Sequence, residues 1–352
     1  MKRLREELLP NKPSPLYLFT LFLASAALSA QTPPVFRGQT DVVPLDVSVL
    51  DQERRPVRGL TSADFTVLED GKPQSISAFA AVDVPDPEPV ATPWLREVSP
   101  DVQTNIPAYR RLIVIVMDDA SMQNDSFAIA NARKIGHTVI DHLGPGDVAA
   151  LVFTRDNRNT QDFTTDPAKL LAALEKYQGG FRNMGDLADS AIADTLYYTY
   201  SAQIFAEIVK QLSDVPERRK TVLYIGQGLP FDVEGAAAVG IPGGRLGSNA
   251  FQNKLVLILN DAFRRAKEAN VNIYALDACG LRVDDNAFVQ GSAPTCVGGL
   301  EVSYLETVSG ATGGRAILNT RDAEPGVAEI FRENASYYLL GYRAASLARD
   351  GK

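Results

Sequence analysis

Short apolar runs constrain this chain more than anything else in it. Arg111–Met117, Asp147–Thr154, Thr221–Ile225 and Val271–Leu276 are continuous rather than alternating, which is how a strand reads when both of its faces are covered. Helical stretches separate them. Phe127–Leu143 places Ile135, Val139 and Leu143 on one stripe and ends at Gly144-Pro145-Gly146, a helix stop. Pro167–Tyr177, Leu187–Leu212 and Phe251–Ala269 also read as helices, and in the second Ile204, Phe205, Ile208 and Leu212 form the buried stripe. A short helix over Val302–Ser309, a strand over Arg315–Leu318 and a helix over Gly326–Glu333 continue the series. Strands alternating with helices predict an α/β fold: a doubly wound, mostly parallel sheet with helices on both sides.

The flanking segments follow another rhythm. Val43, Leu45, Val47 and Val49 recur with period two, as in a half-buried strand. Asp70-Gly71 reads as a hairpin turn between Phe65–Leu68 and Ile76–Phe79. Residues 41–82 are therefore expected to form a small β unit, too short to bury a core alone. Tyr337–Tyr342 reads as a further strand, and Asp350-Gly351 as a turn with nothing after it. That strand is expected to sit beside the N-terminal β unit, which C-terminal strands would complete as an immunoglobulin-like unit, and the chain is expected to be cut short. The domain organisation predicted is a signal peptide over 1–30, a leader over 31–40, the β unit over 41–82, a Pro-rich linker over 83–107, the α/β domain over 108–335 and the start of a β segment over 336–352.

The basic start MKRLREELLPNKPSP precedes LYLFTLFLASAALSA, an uncharged, mostly apolar run, and small residues Ala27, Ser29 and Ala30 stand before Gln31. This is the pattern of a secretory signal cut near Ala30, and the run is short of the about 20 residues a spanning helix needs. No span is expected after cleavage, so the mature protein is expected to be secreted, periplasmic or in the cell envelope. In such a compartment Cys279 and Cys296 can pair. A formal net charge of −8, with no basic tract, excludes a sequence-independent grip on nucleic acid. His137 and His142 lie five residues apart on one predicted helix, hence on different faces, which excludes a zinc pair.

The candidate site is LIVIVMDDASMQND, where the first α/β strand breaks into polar residues. In open α/β sheets ligands bind beyond the carboxyl ends of the strands, where strand order reverses. Asp118, Asp119 and Ser121 are hard oxygen donors suited to Mg²⁺ or Ca²⁺. Asn124, Asp125 and Ser126 read first as helix caps. Asp125, Asp186 and Gln227 are candidates for a binding face.

An apolar strand ending in Asp, the α/β alternation and the strand in TVLYIGQGLP resemble a von Willebrand factor type A domain over about residues 108–335. That resemblance implies Asp-x-Ser-x-Ser after the first strand, a Thr from a middle loop and an Asp after the fourth strand, together holding a divalent cation whose open position takes an acidic group of the ligand. This chain departs from the pattern. Counting from Asp118, Ala120 and Met122 stand where serines belong; counting from Asp119, Ser121 is restored but Gln123 is not a serine. Gln227 replaces the later Asp, and Phe181 stands where Thr would follow Gly179-Gly180. The segments VSVLDQERRPVRGLTSADFTVLEDGKPQSISAF, VMDDASM, HLGPGDVAALVFT, YIGQGLPF, TGGRAILNTRD and SYYLLGYR together resemble the von Willebrand A-related proteins common in acidobacterial genomes. The resemblance implies an exported, non-catalytic module that binds an extracytoplasmic protein, with a degenerate metal-ion-dependent adhesion site. No cofactor is expected, and any Mg²⁺ or Ca²⁺ would be held weakly. Two other classes compete: an Asp-dependent phosphatase-like enzyme using the Asp118/Asp119 loop, and a structural envelope spacer.

Overall fold

A computed structural model describes residues 42–83, 111–122, 125–155, 157–179, 187–215, 219–229, 249–282, 296 and 299–343. The expected signal peptide, leader and most of the linker lie outside them, as do Asp186 and the residues after Arg343.

Six strands form the main sheet: β5 (Leu112–Met117), β6 (Val148–Phe153), β7 (Gln161–Thr164), β8 (Lys220–Gly226), β9 (Val271–Asp277) and β10 (Ala316–Ile317). Their order is β10-β9-β8-β5-β6-β7, parallel throughout except for β7, which runs antiparallel on β6 at the edge. Among the described residues six helices cover it: α1 (Ser126–Asp141), α2 (Pro167–Leu174), α3 (Leu187–Ser213), α4 (Asn249–Glu268), α5 (Leu300–Gly310) and α6 (Glu324–Glu333).

The continuous apolar runs are two interleaved alternations. Ile113, Ile115 and Met117 of β5 point into a core shared with α1, α2 and α6, whereas Val114 and Val116 point into a second core with α3, α4 and α5. Both faces are dry, so neither can hold a polar side chain cheaply. Fully burying one such aliphatic residue is worth about 1.5–3 kcal/mol. The helices begin where the sequence supplies acceptors. The Asp125 side chain caps α1 by accepting from the N–H groups of Phe127 and Ala128, and Asp166 caps α2, whose first residue is Pro167.

The β unit contains β1 (Val42–Val47), β2 (Val67–Glu69), β3 (Lys72–Gln74) and β4 (Ile76–Asp83), with the distant strand β11 (Ser336–Arg343) pairing antiparallel between β1 and β4. One expectation is corrected here. The Asp70-Gly71 turn joins β2 to β3, pairing Glu69 with Lys72, while Ile76–Phe79 belongs to β4 and pairs with β11. Both turn residues have positive φ, +50° and +75°. A two-residue turn of that kind closes the pair immediately beside it. The described strands of this unit amount to a three-stranded sheet and a hairpin. Phe65, Phe79 and Tyr338 cluster inside it, with ring centroids 5.2–5.9 Å apart.

The two parts meet along a polar seam at the amino-terminal ends of the parallel strands. Arg219, just before β8, donates to Asp46 of β1 at 2.9 Å and to Asn334 at 3.0 Å, and its guanidinium lies over the Tyr337 ring. Arg54 makes a two-pronged pair with Glu333 at the end of α6, which also accepts from Arg315. Asn334 is only 2% exposed, and its amide donates to the Tyr274 hydroxyl and the Ile330 carbonyl.

Candidate functional site

Strand order reverses between β5 and β8, and Asp118 and Gln227 follow the ends of those two strands. Parallel register puts Met117 level with Phe153 and Ile225, so the residues just beyond, Asp118, Thr154 and Gly226, become neighbours. The Asp118 N–H donates across to Ile225 O at 2.9 Å. Gly226 is required by this approach, since a Cβ there would lie 2.8 Å from Asp118 Cβ.

Asp118 is fully buried, and both its carboxylate oxygens are occupied. Oδ1 accepts from Thr154 Oγ1 at 2.6 Å and from the Ser121 N–H at 3.2 Å. Oδ2 accepts from the hydroxyls of Ser121 and Tyr224. Asp119, 2% exposed, accepts from the Arg155 N–H at 2.7 Å, and Thr154 Oγ1 lies 3.2 Å from it. Tyr177 donates to the Asp118 carbonyl at 3.3 Å. Burial, and then the charge of Asp118, pushes the Tyr177, Tyr224 and Tyr304 hydroxyls well above the usual tyrosine range. Tyr177 and Tyr224 therefore act as donors, with their protons held on oxygen at neutral pH.

The oxygen donors that converge are therefore Asp118, Asp119, Ser121 and Thr154. Ca²⁺ takes about six to eight oxygens, and the positions that should complete the set do something else. Met122 is buried in the core with α1. Gln227, 3% exposed, turns its amide nitrogen to donate to Ser121 O at 2.8 Å. Among the described residues no group of three or more His, Cys, Asp or Glu side chains is arranged to hold a metal ion. Among the described residues, the hydrogens that reach the Asp118 carboxylate come from the Ser121, Thr154 and Tyr224 hydroxyls and the Ser121 N–H. Asp125 is spent as the α1 cap. His137 pairs with Glu175 on the surface, and His142 bonds back to Thr138 O.

Beyond β9 the chain is tied down twice. Cys279 and Cys296 form a disulfide with Cα atoms 5.6 Å apart. Arg282 makes a bidentate pair with Asp277 at 2.7 and 2.9 Å and donates to Gln227 O at 2.6 Å. Two large apolar side chains on this rim face solvent: Phe127 is 62% exposed and Leu281 46%. The Phe127 ring lies against the residue before Leu281, since a Cβ on Gly280 would lie 3.5 Å from it.

Thr154, Tyr224 and Arg282 were not singled out in the sequence. For Thr154 a signal existed: it ends a buried strand next to the one that Asp118 ends. Tyr224 and Arg282 carried none, because only the sheet order brings them to the rim.

The fold is a mixed α/β one, a six-stranded, mostly parallel sheet with helices on both faces. No protein-family model matches the chain, and no curated protein does. Among solved structures it is similar to the von Willebrand factor domain of the type V pili tip protein Mfa5 from Porphyromonas gingivalis. The identity there is 12%, the match covers 64% of this chain and 95% of that one, and the TM-score is 0.33. It is also similar to an uncharacterized membrane spanning protein from Vibrio fischeri, at 15% identity over 63% of this chain and 94% of that one, with a TM-score of 0.18. Likeness of this degree does not identify a family. Among the described residues no helix is long and apolar enough to cross a membrane.

Proposed function

We propose that this chain is an exported, non-catalytic binding module of the von Willebrand A type, related to the acidobacterial group, that engages an extracytoplasmic protein through the rim at the carboxyl ends of β5, β8 and β9. The observation that carries the reading is the contrast within that rim. The Asp118 carboxylate, where a cation would sit, is met by hydroxyls, while Phe127 and Leu281, in the segments after β5 and β9, stand exposed. Exposed apolar side chains on a rigid rim are what a protein partner can desolvate. The adhesion site is thus degenerate: Asp118, Asp119 and Ser121 are structural, and binding does not run through Mg²⁺ or Ca²⁺. The β unit, read as immunoglobulin-like and joined by β11, carries the module. The disulfide supports the extracytoplasmic assignment, and the −8 net charge supports a protein partner over nucleic acid.

The burial of Asp118 also favours binding over phosphatase chemistry, because a nucleophilic carboxylate needs an open oxygen. Cross-linking to envelope proteins, run on the wild type, Phe127→Ser/Leu281→Ser and Asp119→Asn, tests the proposal. A specific adduct lost only in the apolar double variant is the expected result. An adduct that persists in that variant refutes the apolar rim as the docking face. Calorimetry with Mg²⁺, Ca²⁺ and Mn²⁺ is expected to show no heat that depends on Asp118 or Asp119, and a saturable, Asp118-dependent signal would restore the cation.

A further inference from the structure

We propose that Arg282 is the positioning residue of the rim: a guanidinium that locks the ends of β9, β8 and β5 into one rigid surface, held in reach by the Cys279–Cys296 disulfide. The inference deepens the binding reading, since it says what keeps the proposed docking face in shape.

The side chain of Arg282 is 6% exposed and that of Asp277 fully buried. If Asp277 needed only neutralising, a single contact would serve. Instead the guanidinium spends Nε and Nη2 on Asp277, and Nη2 also reaches the Gln227 carbonyl at 2.6 Å beyond the neighbouring strand. Gln227 in turn donates to Ser121 O at 2.8 Å, and Ser121 bonds Asp118. One chain of hydrogen bonds therefore crosses the carboxyl ends of β9, β8 and β5. Such a bridge needs a planar fork, which arginine has and lysine lacks.

Gly280 adopts φ +70°, a conformation with no inherent preference for this path. Among the described residues, the Arg282 N–H donates to Asn319 Oδ1 at 3.1 Å, and Cys279, three residues earlier, is bonded to Cys296. Leu281, the exposed residue of the proposed docking face, lies between them. The disulfide thus acts on the rim through Arg282, by holding the segment that carries it.

Hydrogen exchange on the full chain, with no partner added, tests the positioning role separately from the binding reading. Four forms are compared: wild type, Arg282→Lys, Asp277→Asn/Arg282→Met and Cys279→Ser/Cys296→Ser. The Asn/Met pair removes both charges, so no buried carboxylate is left alone, and the introduced amide still offers an acceptor to the Cys279 N–H, which Asp277 accepts in the wild type. The reporters are the amides of Ala120 and Ser121, far in sequence from every substitution and hydrogen-bonded to Thr154 and Asp118. The β6 amides 148–153 serve as the internal reference. In all three variants the reporters are expected to exchange about tenfold faster or more while β6 is unchanged, a local loosening of the rim. Wild-type protection in Arg282→Lys would show that charge alone suffices and overturn the clamp. A uniform rise across the sheet would make the pair a global stability element and overturn it too, as would unchanged reporters in the Asn/Met pair. Unchanged reporters in the serine double variant would remove the disulfide from the mechanism. A clamp that passes while no partner cross-links leaves the failure with the binding proposal alone.

Discussion

Asp118, at the carboxyl-terminal rim of the parallel sheet, is met differently from the buried carboxylates at the opposite end. At the amino-terminal floor each one meets an arginine: Asp147 pairs with Arg111 through two 2.7 Å bonds at 1% and 3% side-chain exposure, Asp46 with Arg219, and Glu333 with Arg54 and Arg315. At the carboxyl-terminal rim the bonds to Asp118 come from the hydroxyls of Ser121, Thr154 and Tyr224 and from one N–H. Arg282, close by, goes to Asp277 instead. Arginine forks on carboxylates build rigid joints, and the floor is the joint between the β unit and the α/β unit. Asp118 is held instead by neutral donors of the protein itself.

Substitutions at the two ends can break or sharpen that contrast. The largest effect is expected for Arg111→Ala, which strands Asp147 and should cost about 3–5 kcal/mol. Replacing both by Arg111→Met/Asp147→Leu should recover most of it, and urea unfolding measures both. If the single change cost under about 1 kcal/mol, well below that range, the floor pairs would not be structural. Next comes the rim disulfide: Cys279→Ser/Cys296→Ser, whose bridge spans a sequence separation of 17, should lose on the order of 3 kcal/mol. Asp118→Asn should cost less than Arg111→Ala, about 1–3 kcal/mol, because it strands hydroxyl donors and no ion. A loss for Asp118→Asn as large as that for Arg111→Ala would erase the distinction between rim and floor.

The smallest effect is a pH dependence at the seam. Burial raises the Asp46 carboxyl above its ordinary value of 3.8, outweighing Arg219 and Lys220, which pull it down. A raised folded pKa means the folded state holds the proton longer. The contribution of Asp46 to stability is therefore fully present below 3.8 and declines as pH rises through the folded pKa. Carboxyl NMR should place the Asp46 midpoint above 3.8, and a midpoint below it would mean that Arg219 dominates.

Much of this was legible from residue patterns alone. The strands β5, β6, β8 and β9 announced themselves as uninterrupted apolar runs, and α1 by its stripe and its Asp125 cap. The edge strand β7, Gln-Asp-Phe-Thr, was missed because four partly exposed residues with one large apolar side chain carry no period. The hairpin partner was misplaced because Lys72–Gln74 looks polar, and only the turn's backbone geometry pairs it with β2. At the site, Asp118 and Asp119 stood out at the end of a buried run. That Met122 would turn into the core and Gln227 would point its amide nitrogen inward could not be read from spacing.

Local chemistry is written in order along a chain: period two or 3.6, a capping aspartate, a turn with positive φ. These are interactions between residues a few positions apart, so the sequence by itself determined the elements, their type and the polar break after β5. Which hydroxyl meets which carboxylate is decided between residues such as Asp118 and Tyr224, 106 positions apart, and the entry of β11 between β1 and β4 joins the two ends of the described chain. Only the tertiary structure decided these, because the register of parallel strands sets which side chains share a layer, and no local signal encodes that register.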